Sequence, residues 1–298
     1  MPSVPLVAVP NFSEGRDRPT VEAIGRAFTK SGARLLDVHS DPDHHRSVYT
    51  LAGEPGQLAS SLLQGAREAV QRIGVGEASR DEAPGLHPHV GTIDVIPIVY
   101  LSAALRGAAC AEALVVGDLV GDLLQIPVFL YGLLAGGRTR AELRRGGRPG
   151  LARRLEEGEL VPDFGPPRLH PTAGAALVAA RRPLVAFNLE LAPPATGETA
   201  RRIAAAIREG GPEGLPGVRA IGLELPSRKG AGQVSVNVEE PETTPLASIV
   251  AAVRRHAPVA AGELVGLAPR AALEGFPPDV PLPGFDPKRH VVENALGL

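Results

Sequence analysis

Pro84–Tyr100 reads PGLHPHVGTIDVIPIVY, and the fold turns on how it is read. Pro84 and Gly85 punctuate the chain rather than continue an element. His87 and His89 follow, flanking Pro88. Gly91 supplies a permissive backbone. Ile93, Val95, Ile96, Ile98 and Val99 then form an apolar, β-branched run that predicts a buried strand. Two imidazoles therefore stand on a stiff turn at the mouth of a core strand, where side chains can be held still as catalysis requires. A single loop histidine without a task looks the same. A pair around a proline shifts the balance toward function, and spacing alone leaves both readings open.

Outward from this strand the chain alternates. Leu6–Val9 predicts a short strand, followed by the turn NFSEG, Asn11–Gly15. Val21, Ile24 and Phe28 recur at helical spacing behind Asp17 and Thr20. Arg34–Val38 and Arg46–Leu51 predict two strands joined by HSDPDHH, and Leu58–Ile73 a helix. The order β-α-β-β-α-β is the split unit with two helices on a four-stranded sheet. A helix at Ala103–Leu124 and a strand at Pro127–Leu130 extend it. Arg138–Arg154 predicts helix only in pieces, with its charge on a solvated face.

Gly165–Ala176, GPPRLHPTAGAA, predicts a functional loop approaching a domain boundary. The same order then recurs: strand Leu184–Leu191, helix Glu198–Glu209, strands Val218–Leu225 and Gln233–Val238, helix Pro245–His256 capped by Thr244, and a short strand at Val259–Ala261. A terminal helix is expected over Pro287–Ala295. The fold class is α/β (α+β), with two split subdomains, residues 1–179 and 180–298, and a cleft expected between them.

The chain has 298 residues, 44% hydrophobic and 21% charged, so it can build sizeable cores. A net charge of −2 argues against a general nucleic-acid binder. One cysteine, Cys110, rules out an internal disulfide and a cysteine-rich metal site, and its alanine neighbours predict a buried thiol. The N-terminus lacks a basic leader, and no apolar stretch is long enough to span a bilayer. The expectation is a cytoplasmic protein.

Three polar clusters carry candidate chemistry: Asp41–Arg46 (DPDHHR), His87-Pro88-His89, and Arg168-Leu169-His170-Pro171. The histidines and aspartates are potential metal ligands, yet they lack HExxH or paired Cys/His spacing, so no metal is expected. No G-x-S-x-G elbow occurs, and the Gly-rich segments lack a full phosphate-binding fingerprint. Histidine acid–base work with arginine holding a carboxylate fits better.

VPNFSEGRD, LLDVHSDPDHHRSVYTLAG, LHPHVGTIDVIPIV, PDFGPPRLHPTAGAALVAARRPLVAFN and QVSVNV…TTPL…ELVGLAP stand in the order seen in glutamate formimidoyltransferases. The chain resembles that family almost end to end, through FDPKRHVVENAL, as its bacterial transferase form without the cyclodeaminase part. The resemblance implies transfer of a formimidoyl group from N-formimidoyl-L-glutamate to tetrahydrofolate, the co-substrate, in histidine degradation. It implies a homodimer acting on small molecules, with His87 as the acid–base group. The folate-binding loop falls on Gly165, Pro166, Pro167, Arg168, Leu169, His170, Pro171, Thr172, Ala173 and Gly174. Arg46 and Arg168 are candidate carboxylate clamps, with an ion pair from Arg46 to Asp41 or Asp43 as the structural alternative. Asn11 and Asn237 are candidate cleft residues. Two departures stand out: His45 replaces the family's asparagine, and His89 replaces the arginine of its HPR motif. These admit two alternatives, a related folate enzyme (formyl transfer from N-formylglutamate or 5-formyltetrahydrofolate cyclisation) or a non-catalytic folate binder.

Overall fold

A computed structural model describes residues 4–74, 88–228 and 230–298. The chain divides into two compact units, Met1–Arg182 and Pro183–Leu298.

In the first unit, β1 (Leu6–Ala8) and β2 (Asn11–Phe12) are one central line interrupted at Val9–Pro10. Both pair antiparallel with β4 (Arg46–Gly53) and β5 (Ile93–Val99). β3 (Arg34–Asp41) pairs with β4 outside them. This is the β-α-β-β-α-β unit, with α1 (Arg18–Phe28) and α2 (Leu58–Arg72) as its crossovers. The sheet then grows past the expected four strands. After α3 (Arg106–Leu123), β6 (Val128–Leu130) and β7 (Ala176–Arg181) add in the order β5-β7-β6, all parallel. The stretch expected to approach a boundary thus runs straight into an inner strand. Apolar ALVAA after the Pro/Gly loop was its signal.

This addition explains why every residue of β5 is buried. Ile96 and Ile98 pack with Val178, Ala180 and the apolar faces of α1, α2 and α3. Val95, Leu177, Ala179 and Phe129 pack on the other face against Leu143 of α4 (Arg140–Arg144) and Leu151 and Leu155 of α5 (Gly147–Glu156). A strand covered on both faces reads as a continuous hydrophobic run. Cys110, expected to be buried, is half-buried beside the larger core.

The second unit keeps the four-stranded form. β8 (Val185–Leu191), β9 (Val218–Leu225), β10 (Ala231–Val238) and β11 (Val259–Val265) run antiparallel in the order β11-β8-β10-β9. α6 (Gly197–Ile207) and α7 (Leu246–Arg254) provide the helical cover. Gly222 lets α6 approach β9, since a Cβ there would lie 2.1 Å from the Arg201 backbone nitrogen. Thr244 does not cap α7 as expected: Pro245 holds the cap position, and the Thr244 hydroxyl donates to the Pro216 carbonyl. The terminal helix is split into α8 (Pro287–His290) and α9 (Val292–Leu296), because Val291 is extended and bridges to Ala268. Among the described residues no helix is long and apolar enough to cross a membrane.

Candidate active site

The centre of the site in the first unit is Asp94, a fully buried carboxylate in β5. Pairing with the central line steps from Asn11↔Val95 to Phe12↔Ile93, so Asp94 is the extra residue of a β-bulge. A bulge re-aims the side chain it carries. A buried carboxylate needs a cation and hydrogen bonds, and Asp94 has both. The guanidiniums of Arg46 and Arg144 donate to its Oδ2, and the Val90 N–H donates to its Oδ1 at 3.1 Å. The ion-pair partner of Arg46 is therefore Asp94. Asp41 accepts instead from the His44 N–H at 2.8 Å.

Arg46 gathers two further partners. Its Nη1 donates to Asn11 Oδ1 and its Nη2 to the Pro88 carbonyl, each at 3.4 Å. Asn11 is oriented in turn by donating to the Val9 carbonyl at 2.9 Å. Burial pushes the guanidinium down to about 10, against the pull of Asp94, so it stays protonated at neutral pH. The chain immediately after residue 87 is thus tied to the Arg46–Asp94 pair. His87 itself, the expected acid–base group, lies outside the described residues.

His89 is half-buried, and its Nδ1 has no hydrogen-bond partner among the described residues. Burial holds its imidazole below the ordinary range, with Arg46, Arg148 and Arg144 adding to the effect and Asp94 opposing it. Burial thus favours its neutral form. His45 has φ +48°, in the left-handed region where asparagine is among the commonest non-glycine residues. The asparagine expected there thus has a backbone reason. The His45 Nδ1 accepts from the Gly15 N–H at 3.2 Å.

Backbone contact locks the motifs together. A Cβ at Gly15 would lie 2.2 Å from the Asp41 carbonyl, so the NFSEG turn fits the Asp41–Arg46 loop only as glycine. The Ser13 hydroxyl donates to the Gly91 carbonyl at 2.8 Å, and the Thr92 N–H to the Ala173 carbonyl at 2.9 Å. Gly91 bridges to Gly174, which brings the end of the Gly165–Gly174 loop to the His89 turn. Within that loop His170 is structural: its Nδ1 accepts from the N–H groups of Ala173 at 2.9 Å and Thr172 at 3.3 Å. Pro167, Arg168, Pro171 and Thr172 are exposed, Pro166 and Leu169 half-exposed. Gly165 packs at the other end, against Gly121 of α3 and the Ile126 carbonyl. Asn237 lies half-buried on β10 of the second unit, opposite Ala186 and Arg219.

Sequence reading missed Asp94 and Arg144. A lone acid inside IDVIPIV was the available signal, because such an acid must find a cation. The arginine-rich segment is only in part the solvated face expected of it: Arg145 and Arg153 are exposed, while Arg144 and Arg154 turn inward. The Arg144 side chain is only 12% exposed, and buried Arg154 donates to the carbonyls of Leu143 and Glu142 at 2.7 and 3.1 Å, joining α5 to α4. Among the described residues no three His, Cys, Asp or Glu side chains gather as a metal site would need.

Residues 5–181 match the formiminotransferase domain, N-terminal subdomain, and residues 186–275 match the formiminotransferase domain. The chain is 38% identical over 279 residues to the formimidoyltransferase-cyclodeaminase of Gallus gallus, covering 89% of this chain and 50% of that protein. It therefore spans about half the length of that relative. It is 33% identical over 298 residues to the glutamate formimidoyltransferase of Streptococcus pyogenes serotype M1, covering 97% of each. To that of Thermoplasma acidophilum it is 34% identical over 279 residues, covering 89% and 88%. With both units matched and two such relatives aligned along nearly their full length, this chain belongs to the formiminotransferase family.

Proposed function

We propose that this protein transfers the formimidoyl group of N-formimidoyl-L-glutamate to tetrahydrofolate, giving 5-formimidoyltetrahydrofolate and L-glutamate. The observation that carries this reading is the alignment along 97% of a glutamate formimidoyltransferase. The arginine-rich site beside the Pro88–His89 turn supports it, because both substrates bear glutamyl carboxylates and guanidinium clamps a carboxylate in a fork.

In this reading folate N5 attacks the formimidoyl carbon and gives up its proton. The carbon–nitrogen bond to glutamate then breaks, and the departing amine gains a proton. His87 takes the first proton and returns it to the amine, since imidazole titrates near neutral pH. Holding both substrates together removes much of the entropic barrier. Arg46, with Asn11 and Asp94, fixes the chain that follows His87. Arg168, exposed on the Gly165–Gly174 loop, and Asn237 are further folate or substrate contacts. The family resemblance extends the reading to a cytoplasmic homodimer.

A donor panel tests the proposal. Purified protein and tetrahydrofolate are mixed with formimidoylglutamate or with N-formylglutamate, and 5-formyltetrahydrofolate is supplied alone. The expected result is 5-formimidoyltetrahydrofolate from the first mixture at the highest rate. Faster formyl transfer or cyclisation would move the assignment to a related folate enzyme. Tight folate binding with no turnover on any donor would overturn it in favour of a binding protein.

A further inference from the structure

Arg148 stands near the start of α5, beside the same turn. It is half-buried, and its Nε is buried without a hydrogen-bond partner among the described residues. Burial lowers its affinity for its proton. Its Nε lies 3.3 Å from where a Cβ on Gly174 would stand, so the side chain runs along the end of the Gly165–Gly174 loop. Gly174 has φ +71° and approaches the Val90 carbonyl, which ties that spot to the His89 turn.

Arg46 and Arg144 both bind the single carboxylate of Asp94. Arg46, Arg144, Arg148 and Asp94 all act on the His89 ring. Among the described residues, these three guanidiniums face one carboxylate. A buried guanidinium Nε without an acceptor among the described residues, beside two further guanidiniums, suits an incoming anion with planar, forked geometry. His89 cannot supply that fork, since an imidazole has no parallel pair of N–H donors in either protonation state.

We propose that Arg148 grips a glutamyl carboxylate of the substrates, supplying from α5 the guanidinium fork that the imidazole of His89 lacks. The identity of the carboxylate rests on the formimidoyl-transfer reading. It belongs either to the glutamate donor or to the glutamate tail of the folate.

Equilibrium binding of L-glutamate, tetrahydrofolate and tetrahydropteroate, which lacks the glutamate tail, is measured for the wild-type protein, Arg148→Gln and Arg148→Lys. Arg148→Gln should weaken one glutamyl ligand at least tenfold and leave tetrahydropteroate within twofold. Arg148→Lys, which keeps the charge without the fork, should fall between. A loss with L-glutamate identifies the donor carboxylate, and a loss confined to tetrahydrofolate identifies the tail. Unchanged affinities in a folded Arg148→Gln protein would overturn the proposal, as would a wild type that binds neither glutamyl ligand. If Arg148→Gln does not fold, Arg148→Lys decides, with a loss of threefold or more expected and none contradicting it. Wild-type turnover, followed in parallel, judges the transfer reading separately. An active enzyme indifferent to Arg148 sinks only the clamp. An inactive protein whose glutamate binding needs Arg148 sinks the reaction and keeps the site.

Discussion

The Arg46 guanidinium donates to the Asp94 carboxylate inside the first unit, with 12% of the arginine side chain exposed and none of the aspartate. Arg144 meets the same oxygen from α4. One bulged residue of β5 thereby joins the first residue of β4 to the arginine-rich helices. The site inherits its rigidity from a strand buried on both faces.

Removing the shared carboxylate leaves two buried guanidiniums without their counter-ion. Breaking a buried pair in this way costs about 3–5 kcal/mol. Asp94→Ala should lower the free energy of unfolding by that amount in urea denaturation. A loss under about 1 kcal/mol would mean that water neutralises the arginines as well as Asp94 does.

Gly91 is a backbone junction. A Cβ there would lie 2.2 Å from the Ala175 carbonyl and 2.3 Å from that of Ala173, so one strand or the other must move. Gly91→Ala should cost about 1–3 kcal/mol, the usual range for overpacking. Gly107, near the start of α3, has nothing within 4 Å of where a Cβ would stand, so Gly107→Ala should be stabilising by about 0.4–1 kcal/mol. Equal effects of the two variants on the melting temperature would contradict the junction.

Much of this architecture was legible in the sequence. Period-2 and period-3.6 patterning gave both β-α-β-β-α-β units, because each strand and helix buries a face of its own. β7 was hidden, since ALVAA follows a Pro/Gly-rich loop and its partners are remote in sequence. Asp94 was overlooked inside an apolar run, and its two cations come from segments about 50 residues away on either side. Charge in the arginine-rich segment looked solvated because composition does not say which arginine turns inward.

The His89 imidazole gives a pH signature. Burial holds its folded pKa below the ordinary value, Arg46, Arg148 and Arg144 act in the same direction, and Asp94 opposes them. The unfolded chain therefore binds a proton near pH 6.5, while the folded chain takes it up only at lower pH. Stability should fall as pH drops below about 6.5, until the folded ring protonates too. His170 is shifted the same way by burial and adds to the slope. His89→Gln should flatten the slope in melting scans between pH 7 and pH 5; an unchanged slope would place the proton elsewhere.

The most direct measurement follows the transferred carbon itself. Formimidoylglutamate carrying ¹³C in the formimidoyl group is mixed with tetrahydrofolate and the purified protein, and the label is tracked by NMR. With the wild-type protein the label should leave glutamate and appear on folate N5, and His87→Ala should slow this by about 10²–10⁴-fold. A label that stays on glutamate, or one that moves equally fast without the His87 imidazole, would contradict the proposed transfer.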